Sequence, residues 1–209
     1  MISKKYNFIY IHIPKTGGNS IQTVLAPYAD DKVVLRRSIG NVLNEDGLQG
    51  LDVFNDEIGF SDPKHKHASI QDYYSKLGDE IYSYYIFASI RNPWDRVISQ
   101  TAFLSMDKLP NRPLTVDEIN FPLPMIDYIS INGKVVINGF IRFEYLQYDF
   151  NNICRSLKIP DAFLPHKNRS IRKEYRGYYC SRTARYVAEK FSADIDLFGY
   201  AFENEVVDG

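Results

Sequence analysis

Phe8-Ile9-Tyr10-Ile11-His12-Ile13-Pro14-Lys15-Thr16-Gly17-Gly18-Asn19-Ser20 decides the fold. Its first six residues form a nearly continuous β-branched and aromatic run bounded by Pro14. Such a run reads as a strand buried on both faces, the pattern of a parallel sheet. Lys15 to Ser20 are a turn by composition, and Ile21, Val24 and Leu25 follow at helical spacing until Pro27. The order is strand, glycine loop, helix. Backbone N–H groups at a helix N-terminus, with the helix dipole behind them, bind anions. Gly17 and Gly18 let a phosphate or sulfate approach the backbone. Lys15 adds a positive charge, and Thr16 and Ser20 add hydroxyl donors. An ordinary strand-to-helix turn is the alternative. A Walker A loop is excluded, because its lysine follows the last glycine, whereas Lys15 precedes both.

Working outward, Tyr84 to Ile90 is a second buried strand, ending at Arg91-Asn92-Pro93. Pro93 suits the first turn of a helix whose apolar face is Val97, Ile98, Ala102 and Phe103. Arg91 therefore stands at the carboxyl end of a strand, where α/β sheets bind ligands. It can fork onto a phosphate, and Ser99, two turns along the helix, can add a hydroxyl bond. Arg96 and Ser99 are three apart and share a helix face. The alternative is a helix-capping arginine with surface neighbours. Ser69 reads as the N-cap of a helix stopped by Gly78. Val116 to Ile131 reads as mostly helical, interrupted at Pro122 and Pro124. Val135 to Phe143 reads as a strand broken or bulged at Gly139, with helices at Phe150–Leu157 and Ser181–Phe191. Residues 28–64 form an irregular insertion expected to shape the acceptor side. The expected fold is α/β: a three-layer, P-loop-like domain with a parallel sheet of four to five strands flanked by helices. Residues 1–209 form one domain, since the length allows a single core and shows no second one.

The two motifs, I-H-I-P-K-T-G-G at 11–18 and S-I-R-N-P-W-D-R-V-I-S at 89–99, together resemble the two signatures of the carbohydrate sulfotransferase family that bind 3′-phosphoadenosine 5′-phosphosulfate (PAPS). The segments at 142–150, 164–170 and 196–200 are also similar to that family, in the same order. The resemblance implies that Lys15, Thr16, Gly17, Gly18, Asn19 and Ser20 hold the 5′-phosphosulfate. Arg91 and Ser99 then hold the 3′-phosphate, and Asn168 and Arg172, in a basic loop over 158–177, contact the nucleotide. Asn19 stands where the family more often has Thr or Ser. Sulfuryl transfer to an alcohol needs a base, and histidine is the commonest at neutral pH. K-H-A-S at 66–69 resembles the family's base-bearing segment, so His67 is the expected base, with His65 in reserve. A basic surface loop or a His-x-His metal pair is the alternative, but further ligands are missing nearby. His12, inside the first strand, reads as a core histidine.

The expected reaction moves the sulfuryl group of PAPS to a hydroxyl of a saccharide or glycolipid acceptor, without a metal. An ATP-dependent small-molecule kinase and a non-catalytic nucleotide- or glycan-binding domain are the rival readings. A kinase would need Lys-Ser/Thr after the last glycine and an acidic metal ligand on a neighbouring strand. The formal charge of −1, from 25 basic and 26 acidic residues, gives no global field for nucleic acid or membrane. Two isolated cysteines, Cys154 and Cys180, make neither a metal site nor a disulfide framework. A membrane-spanning run of 18 apolar residues is missing, and a cytoplasmic location is expected. Oligomeric state is not readable from the sequence.

Overall fold

A computed structural model describes residues 1–31, 66–106, 108–165 and 172–202. The described residues form six short strands and six α-helices. Strand β1 (Ile2–Ser3) leads into β2 (Phe8–Ile11) and helix α1 (Gly18–Leu25). Helix α2 (Ile70–Leu77) precedes β3 (Tyr85–Ile90) and α3 (Pro93–Leu104). Strands β4 (Ser130–Ile131) and β5 (Lys134–Val135) form a small separate hairpin. Then come β6 (Gly139–Arg142), α4 (Leu146–Ser156), α5 (Ser181–Lys190) and α6 (Ser192–Phe198).

The main sheet has the order β1-β2-β3-β6. β2, β3 and β6 run parallel, in the register Tyr10↔Phe87 and Phe87↔Gly139. The expected all-parallel sheet is corrected at one edge. β1 pairs antiparallel with β2, because a four-residue turn with Asn7 at φ 53° folds the chain straight back. Alternate residues of each strand feed two cores. Ile9, Ile11, Ile86, Ala88 and Ile90 pack with α2, α3, α5 and α6 through Tyr73, Val97, Ile98, Val187 and Phe198. Phe8, Tyr10, Phe87 and Ile141 pack on the other face with α1 and α4 through Ile21, Leu25, Phe150 and Cys154. A strand buried on both faces is apolar almost throughout, which is why β2 and β3 read as near-continuous runs, with Ser89 the one polar position and hydrogen-bonded there.

Helix boundaries follow local chemistry. Ser69 accepts from Asp72 N–H and Asp72 returns a bond to Ser69 N–H, a capping box. Asn92 caps α3 by accepting from the N–H groups of Trp94 and Asp95, with Pro93 at the first helical position. The expected helix over 116–131 is not formed. Single 3₁₀ turns at Val116–Glu118 and Ile126–Tyr128 replace it, since Pro122 and Pro124 lack the N–H groups a helix needs. Buried Asp194 accepts from the Met125 and Ile126 N–H groups instead. Only Gly139–Arg142 of the expected strand over 135–143 joins the main sheet. The insertion over 28–64 lies almost wholly outside the described residues.

Trp94, the sole tryptophan, is 4% exposed; its Nε1 donates to Ala184 O at 2.9 Å and its ring meets Phe202 edge-on. Among the described residues no helix is long and apolar enough to cross a membrane.

The N-cap of α3 offers a direct test of this framework. Asn92 also donates from Nδ2 to Ala201 O, tying α3 to the segment after α6. Asn92→Ala is expected to cost about 1–2 kcal/mol, the upper half of the range for a lost cap. Urea denaturation measures it, and a loss below about 0.5 kcal/mol would show that the cap is dispensable.

Candidate functional site

The carboxyl ends of the three parallel strands release, side by side, the loop from His12 to Gly17, Arg91 and Phe143. The peptide groups of the loop are fixed from below. Arg91 Nη1 donates to Lys15 O at 3.0 Å, and Arg96 Nε donates to Pro14 O at 3.0 Å. Lys15 takes the left-handed conformation, φ 70°, and Gly17 does so at φ 82°. With carbonyls turned down to the arginines, the Thr16–Asn19 segment enters α1 without a side-chain cap on its N-terminus. Lys15 Nζ sits 4.1 Å from the centre of the Phe103 ring.

Two of the expected hydroxyl donors are turned away from a ligand. Thr16 is fully buried; its Oγ1 donates to Ile13 O at 2.7 Å and so accepts from Ser89 Oγ at 2.6 Å, which accepts in turn from Tyr10 OH at 2.7 Å. Ser20 Oγ donates to Pro165 O at 2.6 Å. Thr16 is therefore left with its backbone N–H rather than its hydroxyl, while the Ser20 N–H donates to Gly17 O at 3.1 Å. Asn19 Oδ1 is buried with no hydrogen-bond partner. The two glycines are dictated by packing. A Cβ on Gly17 would stand 3.0 Å from the Phe143 ring, and one on Gly18 would overlap the His12 ring.

His12 is buried among these groups. Burial first, then His67 and Lys66, hold its pKa well below the ordinary imidazole value, so it is neutral. Its ring meets that of His67 edge-on at 4.5 Å. His67 Nδ1 lies 2.9 Å from the His12 carbonyl oxygen. A carbonyl only accepts, so Nδ1 carries the proton and Nε2 keeps its lone pair. Burial lowers the pKa of His67 as the leading cause, with Lys66, Lys15 and Arg96 pulling the same way against the bond to His12. His65 lies outside the described residues, as does Asn168.

The second motif carries an ion cluster. Arg91 is buried, its Nε donates to Asp95 Oδ2 at 2.7 Å, and Nη2 lies 2.7 Å from the same oxygen. Its guanidinium stacks 3.8 Å from the centre of the Phe143 ring. Arg172 Nη2 donates to the other oxygen, Asp95 Oδ1, and Arg172 Nε is buried without an acceptor. Two cations thus share one carboxylate, a net positive cluster beside the loop. Ser99 is buried on α3, and its hydroxyl makes no hydrogen bond to a side chain or loop among the described residues. Half-buried Glu144 accepts from Asn92 N–H at 2.7 Å and Tyr200 OH at 3.0 Å, fixing the start of α3. Asp95, Phe143 and Glu144 were not singled out from sequence; the i, i+4 spacing of Arg91 and Asp95 was the one available signal. Among the described residues no group of three or more His, Cys, Asp or Glu could hold a metal.

The strand–loop–helix turn, the arginines on Asp95 and His67 stand together at the carboxyl ends of the parallel strands, an arrangement whose charge and free N–H groups suit an anion. A model described as the sulfotransferase family matches residues 1–104, about half of the chain and the half that holds both motifs and His67. The chain belongs to the sulfotransferase family, in agreement with the likeness of its motifs to carbohydrate sulfotransferases, and is a sulfuryl transferase. No match was found among curated proteins, and none among solved structures.

The His12–Gly18 contact makes a prediction of its own. Gly18→Ala drives a methyl group into a buried ring that also touches His67. Overpacking of this kind costs about 1–3 kcal/mol. Thermal melting and sulfuryl-transfer assays should show activity falling together with stability. A variant with unchanged melting and rate would mean that the ring has room to move.

Proposed function

We propose that the chain transfers the sulfuryl group of PAPS to a hydroxyl of a saccharide or glycolipid acceptor, with His67 as general base. The observation that carries this reading is the convergence, at one sheet edge, of the pinned loop 14–18, the Arg91–Asp95–Arg172 cluster and neutral His67. On this reading the P-loop-like layering and the single domain extend over 1–209. The 5′-phosphosulfate lies against the N–H groups of Thr16 to Asn19. The 3′-phosphate meets Arg91, Arg172 and Ser99, and Asn168 contributes from the adjacent loop. The buried, unpaired Nε of Arg172 supports an anionic ligand there, since a buried donor left unpaired costs about 1–3 kcal/mol.

The acceptor hydroxyl gives its proton to His67 Nε2 as its oxygen attacks sulfur in line. The bond from sulfur to the bridging phosphate oxygen breaks, and adenosine 3′,5′-bisphosphate leaves with the electron pair. Lys15 and the loop N–H groups stabilise the charge that builds on the bridging oxygen. The lowered pKa of His67 keeps it unprotonated at neutral pH, and its bond to His12 O keeps the lone pair on Nε2.

This assignment sets the sign of the pH dependence. The active form is neutral His67, so kcat/KM falls as pH drops through its pKa. That pKa lies below the ordinary value of about 6.5, so the acid limb should fall below pH ~6.5. His67→Ala should lower the rate by about 100- to 10,000-fold and abolish the limb. A limb that survives the substitution would remove His67 from the base role.

Donor choice tests the reading as a whole. The unaltered protein should bind adenosine 3′,5′-bisphosphate on the order of 100-fold or more tighter than adenosine 5′-monophosphate, as charge-assisted bonds to the extra phosphate require. Arg91→Ala should erase most of that difference while leaving the monophosphate affinity nearly unchanged. Equal affinities in the unaltered protein, measured by calorimetry, would overturn the PAPS assignment.

A further inference from the structure

Arg96 is the largest fully buried side chain among the described residues, at 1% exposure. Its Nε donates to Pro14 O and its Nη1 to Leu123 O at 2.8 Å, while Nη2 has no partner. It forms no ion pair among the described residues. Asp194 attracts it, but both carboxylate oxygens of Asp194 are taken by the Met125 and Ile126 N–H groups. Burial pushes the guanidinium pKa down to about 10, which still leaves it charged at neutral pH. A buried cation with one nitrogen unsatisfied is a poor source of stability, and an apolar side chain of similar volume often serves a scaffold equally well or better.

Its acceptors indicate what it does. Pro14 O belongs to the peptide group between Pro14 and Lys15, and Lys15 O to the next one. Arg96 fixes the first plane and Arg91 the second. Those two planes define the φ and ψ of Lys15, which holds a left-handed conformation that non-glycine residues keep only when their surroundings enforce it. Arg91 is also the group assigned to the 3′-phosphate, so its hold on Lys15 is exposed to changes in nucleotide occupancy. Arg96 is sealed from solvent and is not.

We propose that Arg96 is a positioning residue for sulfuryl transfer: by holding the Pro14–Lys15 peptide plane it aims the Lys15 amine at the bridging oxygen of the donor. This rests on the PAPS reading of the site. The test uses Arg96→Met and Arg96→Lys, each in the unaltered chain and in a Lys15→Ala background. It measures kcat, donor KM, melting temperature and calorimetric affinity for adenosine 3′,5′-bisphosphate.

Misplacement of a catalytic group by an ångström costs on the order of 100-fold. Both variants should therefore lose about that factor in kcat and keep bisphosphate affinity within about threefold. Arg96→Met should stay folded and melt lower only by what the loss of its two hydrogen bonds to carbonyls costs. In the Lys15→Ala background the same substitutions should change kcat by less than about threefold, because the group that Arg96 aims is gone. A kcat within about threefold of the unaltered enzyme, or the full loss repeated without Lys15, would overturn the proposal. So would loss of folding or of bisphosphate binding in both variants, which would assign Arg96 to the scaffold. Failure of the donor reading shows up separately, as an unaltered protein that does not prefer the bisphosphate to the monophosphate.

Discussion

The grip of Arg91 and Arg96 on the carbonyls of Lys15 and Pro14 joins two motifs that lie more than seventy residues apart in the chain. A loop of this length has few side chains of its own with which to hold a strained turn. The arginines come from the rim of β3 and the first turn of α3, both packed into the larger core. The stiffness of the core is thereby passed to the loop. Turning the carbonyls inward leaves the N–H groups to face the opposite way, which is the polarity an anion needs. The positive φ values at Lys15 and Gly17 are the geometric record of that inversion.

Concentrating cations here has to be balanced without cancelling the field. The chain as a whole is nearly neutral, at −1. Each carboxylate near the site is placed to hold something rather than simply to neutralise. Asp95 bridges two arginines, Glu144 takes the Asn92 N–H, and Asp194 takes two backbone N–H groups of the 121–126 turn. Burial raises the pKa of both Glu144 and Asp194, while the hydrogen bonds they accept oppose the shift. Arg96 is left with the least compensation of the group, and the loop lies directly on it.

The sheet and the site were legible in the sequence to different depths. β2 and β3 could be read because burial on both faces demands a nearly continuous apolar run. β1 could not, because two residues carry no periodicity and exist as a strand only through pairing with β2. The 116–131 stretch has apolar residues at helix-like spacing, but its two prolines decide the outcome and Asp194, far along the chain, supplies the substitute contacts. Lys15, Arg91 and His67 could be named because their chemistry sits next to a strand end or a helix start. The inward turn of Thr16 could not, since it depends on Ser89 across the sheet. The sequence put Arg96 on one helix face with Ser99 and gave no sign of what would cover it or Asp95. The burial of Arg96 and the partial burial of Asp95 follow from what covers α3, namely the 121–125 segment on one side and Arg172 on the other.

Trp94 gives the arrangement an optical consequence. It is the one tryptophan in the chain, and it stands between Asn92, which caps α3, and Asp95, which binds both arginines. Its indole is buried against Phe202 and held by Ala184 O. The intrinsic emission excited at the red edge of the protein band therefore originates from a single ring, three residues along the chain from Arg91. The chain carries its own built-in fluorophore at the start of α3, and a change in the polarity or packing of that segment registers spectrally without a label.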